Sequence, residues 1–265
     1  MTAIRLLQVD AFTDRPFLGN PAAVCLLETT REAEWMQAVA AEMNLSETAF
    51  VLPRENGFDL RWFTPATEVD LCGHATLAAA HALWTTGIVD DGLPIRFYTA
   101  SGPLVCSQQG ELVEMDFPAT PVDEVARSSQ LASALGIEPS FTGRSKFDEF
   151  VVVDSEEILR SLQPDMTVLR DMPMRGVIVT SRADDPTFDF VSRYFAPAVG
   201  VDEDPVTGSA HCSLGPFWSK HLQRNDFLAC QASSRGGTVA VKVAGDRVLL
   251  GGRAITVLDG HLVNP

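Results

Sequence analysis

The 265-residue sequence has no CxxC pair, no excess of basic charge and no long uninterrupted apolar run. Its five cysteines (Cys25, Cys72, Cys106, Cys212 and Cys230) are odd in number and scattered. That pattern excludes a disulfide framework or zinc knuckle and predicts free thiols in a reducing compartment. Asp and Glu outnumber Lys and Arg 35 to 20, a formal charge of −15. So negative a surface repels phosphate backbones and anionic headgroups, which argues against nucleic-acid and membrane partners. Every apolar run stops short of the ~20 residues of a membrane span. The opening MTAIRLLQVDAF lacks the charged-then-apolar plan of a signal peptide, so the expected location is cytoplasmic. What the chain does have, 46% hydrophobic and 21% charged residues, builds one large domain or two modest ones with a real core.

The chain carries an internal duplication. Residues 61–70 (RWFTPATEVD) and 193–202 (RYFAPAVGVD) match at six of ten positions, 132 residues apart. Gly73 and Gly208 each open a small-residue apolar stretch, now 135 apart, and the pairs Gly102/Gly237 and Gly110/Gly245 keep that offset. Three extra residues are therefore expected in the second copy, around Glu203, Asp204 and Pro205. The boundaries predicted are a first lobe over 1–117, a linker at Pro118–Pro121 and a second lobe over 121–252. A last strand, within 253–265, is free to return to the first lobe.

Local patterns give two similar α+β halves. Gln8–Phe12, Ala22–Leu27, Glu47–Leu52 and Leu60–Phe63 read as strands, and Ile95–Thr99, Leu104–Ser107 and Leu112–Met115 as a meander. Ala33, Met36, Ala40 and Met43 recur at helical spacing after a Thr29/Glu32 capping-box signature, predicting a helix over 30–43. The second half repeats the plan with strands near 149–153, 176–181, 188–195 and 253–258 and helices at 155–162 and from Gly208. The helix from Gly73 is apolar nearly all round, as expected of one buried inside a layer or barrel.

A buried helix must have its first N–H groups capped by side chains or facing a cleft that holds an anion. Gly73 and Gly208 allow close approach to the backbone there, with His74 and Ser209 at the matching next positions. Cys72 precedes Gly73, where a helix N-terminus lowers a thiol pKa; Asp204 lies four residues ahead of Gly208. Glu47 opens an apolar strand, where burial would raise a carboxyl pKa towards the range of a general acid and base. Bland readings stand beside these: Cys72 as filler, Asp202–Asp204 as a solvated loop, His81 as an ordinary core or surface histidine. His211 and Cys212 have no metal-ligand spacing with a second pair.

Four ordered segments, 8–24 (QVDAFTDRPFLGNPAAV), 44–51 (NLSETAFV), 61–81 (RWFTPATEVDLCGHATLAAAH) and 200–211 (GVDEDPVTGSAH), resemble the PhzF, or phenazine-biosynthesis-like, family, across most of the chain. The resemblance implies a diaminopimelate epimerase-like α+β fold: two pseudo-symmetric lobes, each a mixed or antiparallel sheet wrapped as a barrel around a central helix. It implies Glu47 as acid/base, His74 and Asp204 as its catalytic companions, and Gly73, His74, Gly208, Ser209 and Asn20 as substrate-binding residues. No metal, nucleotide or flavin cofactor is implied. Cys72 stands where epimerase relatives keep one of two catalytic thiols, but the partner thiol is missing, since Cys212 lies a turn inside its helix.

These readings converge on a cofactor-independent isomerase that moves a proton on a small carboxylic acid, expected as a homodimer. The alternatives are an amino-acid racemase or epimerase using Cys72, and a catalytically idle metabolite-binding protein of the same fold.

Overall fold

Strands and central helices recur twice along the chain in the same order. The structure is a computed structural model and describes residues 3–263. The first copy contains β1 (Ile4–Ala11), β2 (Asn20–Leu26), α1 (Ala33–Met43), β3 (Glu47–Arg54), β4 (Gly57–Phe63), β5 (Glu68–Val69), α2 (Gly73–Thr85), β6 (Ile95–Thr99), β7 (Gly102–Gln109) and β8 (Leu112–Pro118). The second contains β9 (Asp123–Glu124), α3 (Ser129–Leu135), β10 (Phe141–Arg144), β11 (Asp148–Val152), α4 (Glu156–Ser161), α5 (Met166–Arg170), β12 (Gly176–Arg182) and β13 (Phe190–Phe195). A 3-10 turn (Pro197–Val199), α6 (Gly208–Leu222), β14 (Asp226–Gln231), β15 (Gly237–Ala244) and β16 (Arg247–Gly252) complete it. β17 (Ala254–Leu262) pairs antiparallel with β1. Two compact units result, one of residues up to Asp116 plus those from Gly251, the other Phe117–Leu250.

Both units thread a mixed sheet by the same rule. β1–β2 and β10–β11 are antiparallel, β2–β3 and β11–β12 parallel, and β3–β4 and β12–β13 antiparallel again. β4–β6 and β13–β14 are the second parallel step, and β6–β7 and β14–β15 return antiparallel. Two parallel steps at equivalent places in a mostly antiparallel sheet are a strong sign of duplication, because each parallel step needs its own crossover.

The strands β2, β12 and β13 are buried on both faces, which explains their continuous apolar runs. In the second unit Val177, Val179 and Val191 pack with Leu131, Leu159 and Leu169 of the short helices. The alternate residues Thr180 and Phe190 turn to α6, where the Trp218 indole N–H donates to Thr180 Oγ1 at 3.1 Å and stacks on Phe190 at 5.6 Å. In the first unit α1 supplies Met36 and Ala40 to a cluster with Phe50 and Phe63, while α2 packs on β1, β2, β3 and β17. Ten of the thirteen residues of α2 are buried, so a helix enclosed by strands is what its composition demands.

Two expectations are corrected. The Thr29/Glu32 capping box does not form: Glu32 itself is the extended N-cap residue, without a side-chain cap bond, and the helix begins at Ala33. The extra three residues are also not around Glu203–Pro205. Arg61 grips Glu68 through two bonds of 2.6 and 2.7 Å, and Arg193 grips Glu203 likewise at 2.7 and 3.0 Å. In step with this, Trp62 pairs with Val69, and the Asp204 N–H donates to the Tyr194 carbonyl at 3.1 Å. Glu203 thus matches Glu68, and the insertion falls before it, in the 3-10 turn Pro197–Val199. Sequence patterns gave no sign of β9, β10, α3 or α5, which are short or lack a clean period.

Among the described residues no helix is long and apolar enough to cross a membrane.

Candidate functional site

In the first unit the parallel β2–β3 pair sets Ala22 opposite Glu47, so Asn20 and Glu47 lie at one end of the sheet. The turn into β2 passes through Gly19 at φ +66°, where a Cβ would lie 2.2 Å from the Ala11 carbonyl oxygen. Only glycine fits there, and it delivers Asn20 fully buried at the strand start. The tip of α2 reaches the same end. The Asn20 amide N–H donates to His74 Nδ1 at 3.1 Å, and His74 Nε2 lies 3.0 Å from Glu47 Oε2. Cys72 Sγ lies 3.5 Å from Nδ1 and 4.0 Å from Nε2.

Burial opposes charge on His74, but the negative charge available at Cys72 and Glu47 and the hydrogen bonds to both outweigh it. The imidazole pKa is therefore held well above its ordinary value. Burial, reinforced by the Glu47 carboxylate, pushes the Cys72 thiol up to about 11. That reverses the depressed thiol expected from the helix terminus: desolvation at a buried sulfur outweighs the dipole. Cys72 is thus not the activated thiol that its place at the helix terminus suggests. An imidazolium needs an acceptor at Nδ1, which a half-turn of the Asn20 amide supplies through its oxygen.

Glu47, Cys72 and His74 offer ligand atoms all within 4.8 Å of one another, close enough for one metal ion. The chemistry of the set fits poorly. Asn20 and Glu47 occupy the two nitrogens of the His74 ring, and the sulfur, nearly equidistant from both, lies off either lone pair. Shared coordination by Cys72 and His74 would require the ring to turn away from its hydrogen-bond partners.

In the second unit the tip of α6 presents Gly208, buried, and Ser209, partly exposed. Neither Cys72 nor Thr207, the N-cap residues of α2 and α6, makes a side-chain cap bond. The Thr207 hydroxyl instead donates to the Asp204 carboxylate in a short bond. Buried Gln231 pins this loop, accepting the Thr207 N–H at 2.8 Å and donating to the Asp204 carbonyl at 2.8 Å. Beside the tip, Arg175 donates to both oxygens of Asp148 at 2.9 and 2.5 Å and to Ser209 Oγ at 3.2 Å. The Tyr194 hydroxyl donates to Asp148 Oδ1 at 2.9 Å.

Of the residues singled out from sequence, Glu47, Asn20, Cys72, Gly73 and His74 therefore form one cluster, and Asp204, Gly208 and Ser209 lie together at the other tip. Arg175, Asp148, Tyr194 and Gln231 were missed. The repeat itself held the signal. Ala49 pairs with Trp62 and Ile178 with Tyr194; two positions back along each strand stand Glu47 and Gly176. A Cβ at Gly176 would lie 2.5 Å from the Tyr194 hydroxyl oxygen. The second unit has thus exchanged the carboxylate for room in which Tyr194 reaches Asp148.

Farther along α6, fully buried His211 donates from Nδ1 to the Thr207 carbonyl at 2.8 Å, and burial depresses its pKa to about 4. The unfolded chain, with an ordinary histidine near pH 6.5, binds the extra proton first, so stability falls as pH drops from about 6.5 towards 4. Urea unfolding should show wild type losing about 2 kcal/mol more than His211→Leu between pH 7 and pH 5.

The family model described as "Phenazine biosynthesis-like protein" matches residues 9–260. The chain belongs to this phenazine-biosynthesis-like (PhzF) family. A relative from Halalkalibacterium halodurans, named an uncharacterised isomerase, is 54% identical over 96% of this chain and 97% of its own. The crystal structure of a PhzF-family phenazine biosynthesis protein from Enterococcus faecalis superposes with a TM-score of 0.95 at 39% identity, covering 99% of this chain and 100% of that one. A probable proline racemase from Agrobacterium radiobacter, 12% identical, covers 99% of this chain and 93% of that one with a TM-score of 0.66, a likeness of fold alone. The fold is α+β of the diaminopimelate epimerase-like type, and relatives in the family are named isomerases.

Proposed function

We propose that this PhzF-family protein is a cofactor-independent isomerase that moves a proton between carbons of a small carboxylic acid. The observation that supports it most is the Glu47 carboxylate 3.0 Å from Nε2 of a buried His74 whose pKa is raised. That is a base and an acid held side by side in one close pair. In this reading the amides at each helix tip, beside Gly73 in the first unit and beside Gly208 in the second, are anion-binding elements for a carboxylate, each tip carrying about half a positive charge. Glu47 removes the proton from an acidified C–H. The charge spreads into a conjugated or enolate-like system that His74 stabilises, and the proton returns at another carbon. Because Gly176 occupies the position equivalent to Glu47, the duplicated chain supports one carboxylate base and not a symmetric pair.

Racemisation through Cys72 is less well supported: its thiol is pushed up to about 11, and Cys212, pushed up to about 12, hydrogen-bonds the Gly208 carbonyl inside the helix.

The test is a metabolite extract incubated with the protein in heavy water and read by mass spectrometry for an acid that gains one deuterium. No such acid, alongside calorimetric binding of acids that never exchange, would establish the idle binding protein instead. Exhaustive dialysis against EDTA is expected to leave the exchange rate unchanged within about twofold, since proton transfer by Glu47 and His74 uses no metal. A loss restored by zinc would move Glu47, Cys72 and His74 into a metal centre.

A further inference from the structure

Asp148 and Arg175 lie outside every motif of the sequence analysis, yet with Tyr194 they form a network that ends on Ser209, a residue of the proposed carboxylate site. Asp148 is 1% exposed at its side chain and is held by the Arg175 guanidinium, just ahead of β12, and by the Tyr194 hydroxyl on β13. Its position follows from the parallel β11–β12 pairing, which sets Asp148 opposite Gly176, next to Arg175.

The stereochemistry of the guanidinium decides what the network does. Arg175 Nε and Nη2 form a fork on the two Asp148 oxygens, which uses one of the two Nη2 hydrogens. The second Nη2 hydrogen goes to Ser209 Oγ. Ser209 is thereby an acceptor from Arg175, so its own hydroxyl hydrogen is directed elsewhere, as a donor. A serine at a helix tip otherwise rotates freely between donating and accepting. Asp148 neutralises Arg175, so the effect is orientation more than added positive charge.

We propose that Arg175 is a positioning residue that fixes Ser209 as a hydrogen-bond donor to the substrate carboxylate. Asp148 and Tyr194 hold its guanidinium in register. The inference rests on the reading that Ser209 belongs to a carboxylate site. It gives the second unit a role of its own, because the strand position that supplies the base in the first unit supports an anion donor in the second.

The test is a double-mutant cycle with sodium benzoate as the carboxylate probe, titrated by calorimetry in a carboxylate-free buffer. Ser209→Ala is expected to weaken benzoate binding about tenfold, the loss of one charge-assisted bond. Arg175→Lys keeps a cation beside Asp148, but an ammonium cannot reproduce the fork and the third bond together. It should therefore weaken binding about as much as Ser209→Ala, and the double variant should bind no worse than either single one. Tyr194→Phe leaves every charge in place and should give a smaller loss that also vanishes in the Ser209→Ala background; it keeps the test decisive if Arg175→Lys folds poorly. Wild-type affinity in Arg175→Lys, or losses that multiply with those of Ser209→Ala, overturn the positioning role while the carboxylate site stands. No binding by wild type, or no loss in Ser209→Ala, overturns the site and the inference together.

Discussion

Glu47→Gln is expected to lower the rate of solvent-deuterium exchange into the substrate by about 10³–10⁴-fold while benzoate still binds. Glutamine has nearly the shape of glutamate, and its amide oxygen can take the place of the Glu47 oxygen that lies 3.0 Å from His74 Nε2. What disappears is the basic lone pair. The upper part of the range for general-base catalysis applies because Gly176, at the equivalent position of the second unit, offers no substitute. A second readout follows from the same substitution. With the carboxylate charge gone, burial acts on His74 with less opposition, and its pKa should fall, visible in the pH dependence of its imidazole proton NMR signals. Exchange at the wild-type rate would remove Glu47 from the chemistry. A lost exchange with an unmoved His74 titration would mean that Glu47 acts without the histidine.

The legibility of the chain follows its periodicity. α2 was recognisable because a helix enclosed by strands has no polar face to hide, and its alanine-rich run says so directly. The meander of β6, β7 and β8 was legible from its turn glycines. The two parallel steps of each sheet were not, since alternation within a strand says nothing about its neighbour's direction. The cluster around His74 was legible from motifs local in sequence. Arg175 and Asp148 were not, because each is an ordinary charged residue at a strand edge until the β11–β12 register sets them side by side. The pKa of Cys72 was misread for the same reason. The helix terminus is a property of the sequence neighbourhood, whereas the desolvation that overrides it comes from strands far along the chain.

The largest effect on stability is expected at Asp148. Its carboxylate is 1% exposed and accepts two bonds from Arg175 and one from Tyr194. Asp148→Asn keeps the volume but replaces one oxygen by an NH₂ group, which sets donor against donor on one prong of the Arg175 fork. Removing one member of a buried ion pair costs about 3–5 kcal/mol when the remaining charge is sealed off. Arg175 retains 34% side-chain exposure, so water relieves part of that penalty and the expected loss is nearer 2–3 kcal/mol. Urea unfolding at pH 7 measures it as a lower midpoint with unchanged slope. Asp148→Asn with Arg175→Met should recover part of the loss, because the second change removes the charge stranded by the first, whereas two independent contacts would give losses that add. Recovery without renewed benzoate affinity separates what the pair does for the fold from what Arg175 does for Ser209.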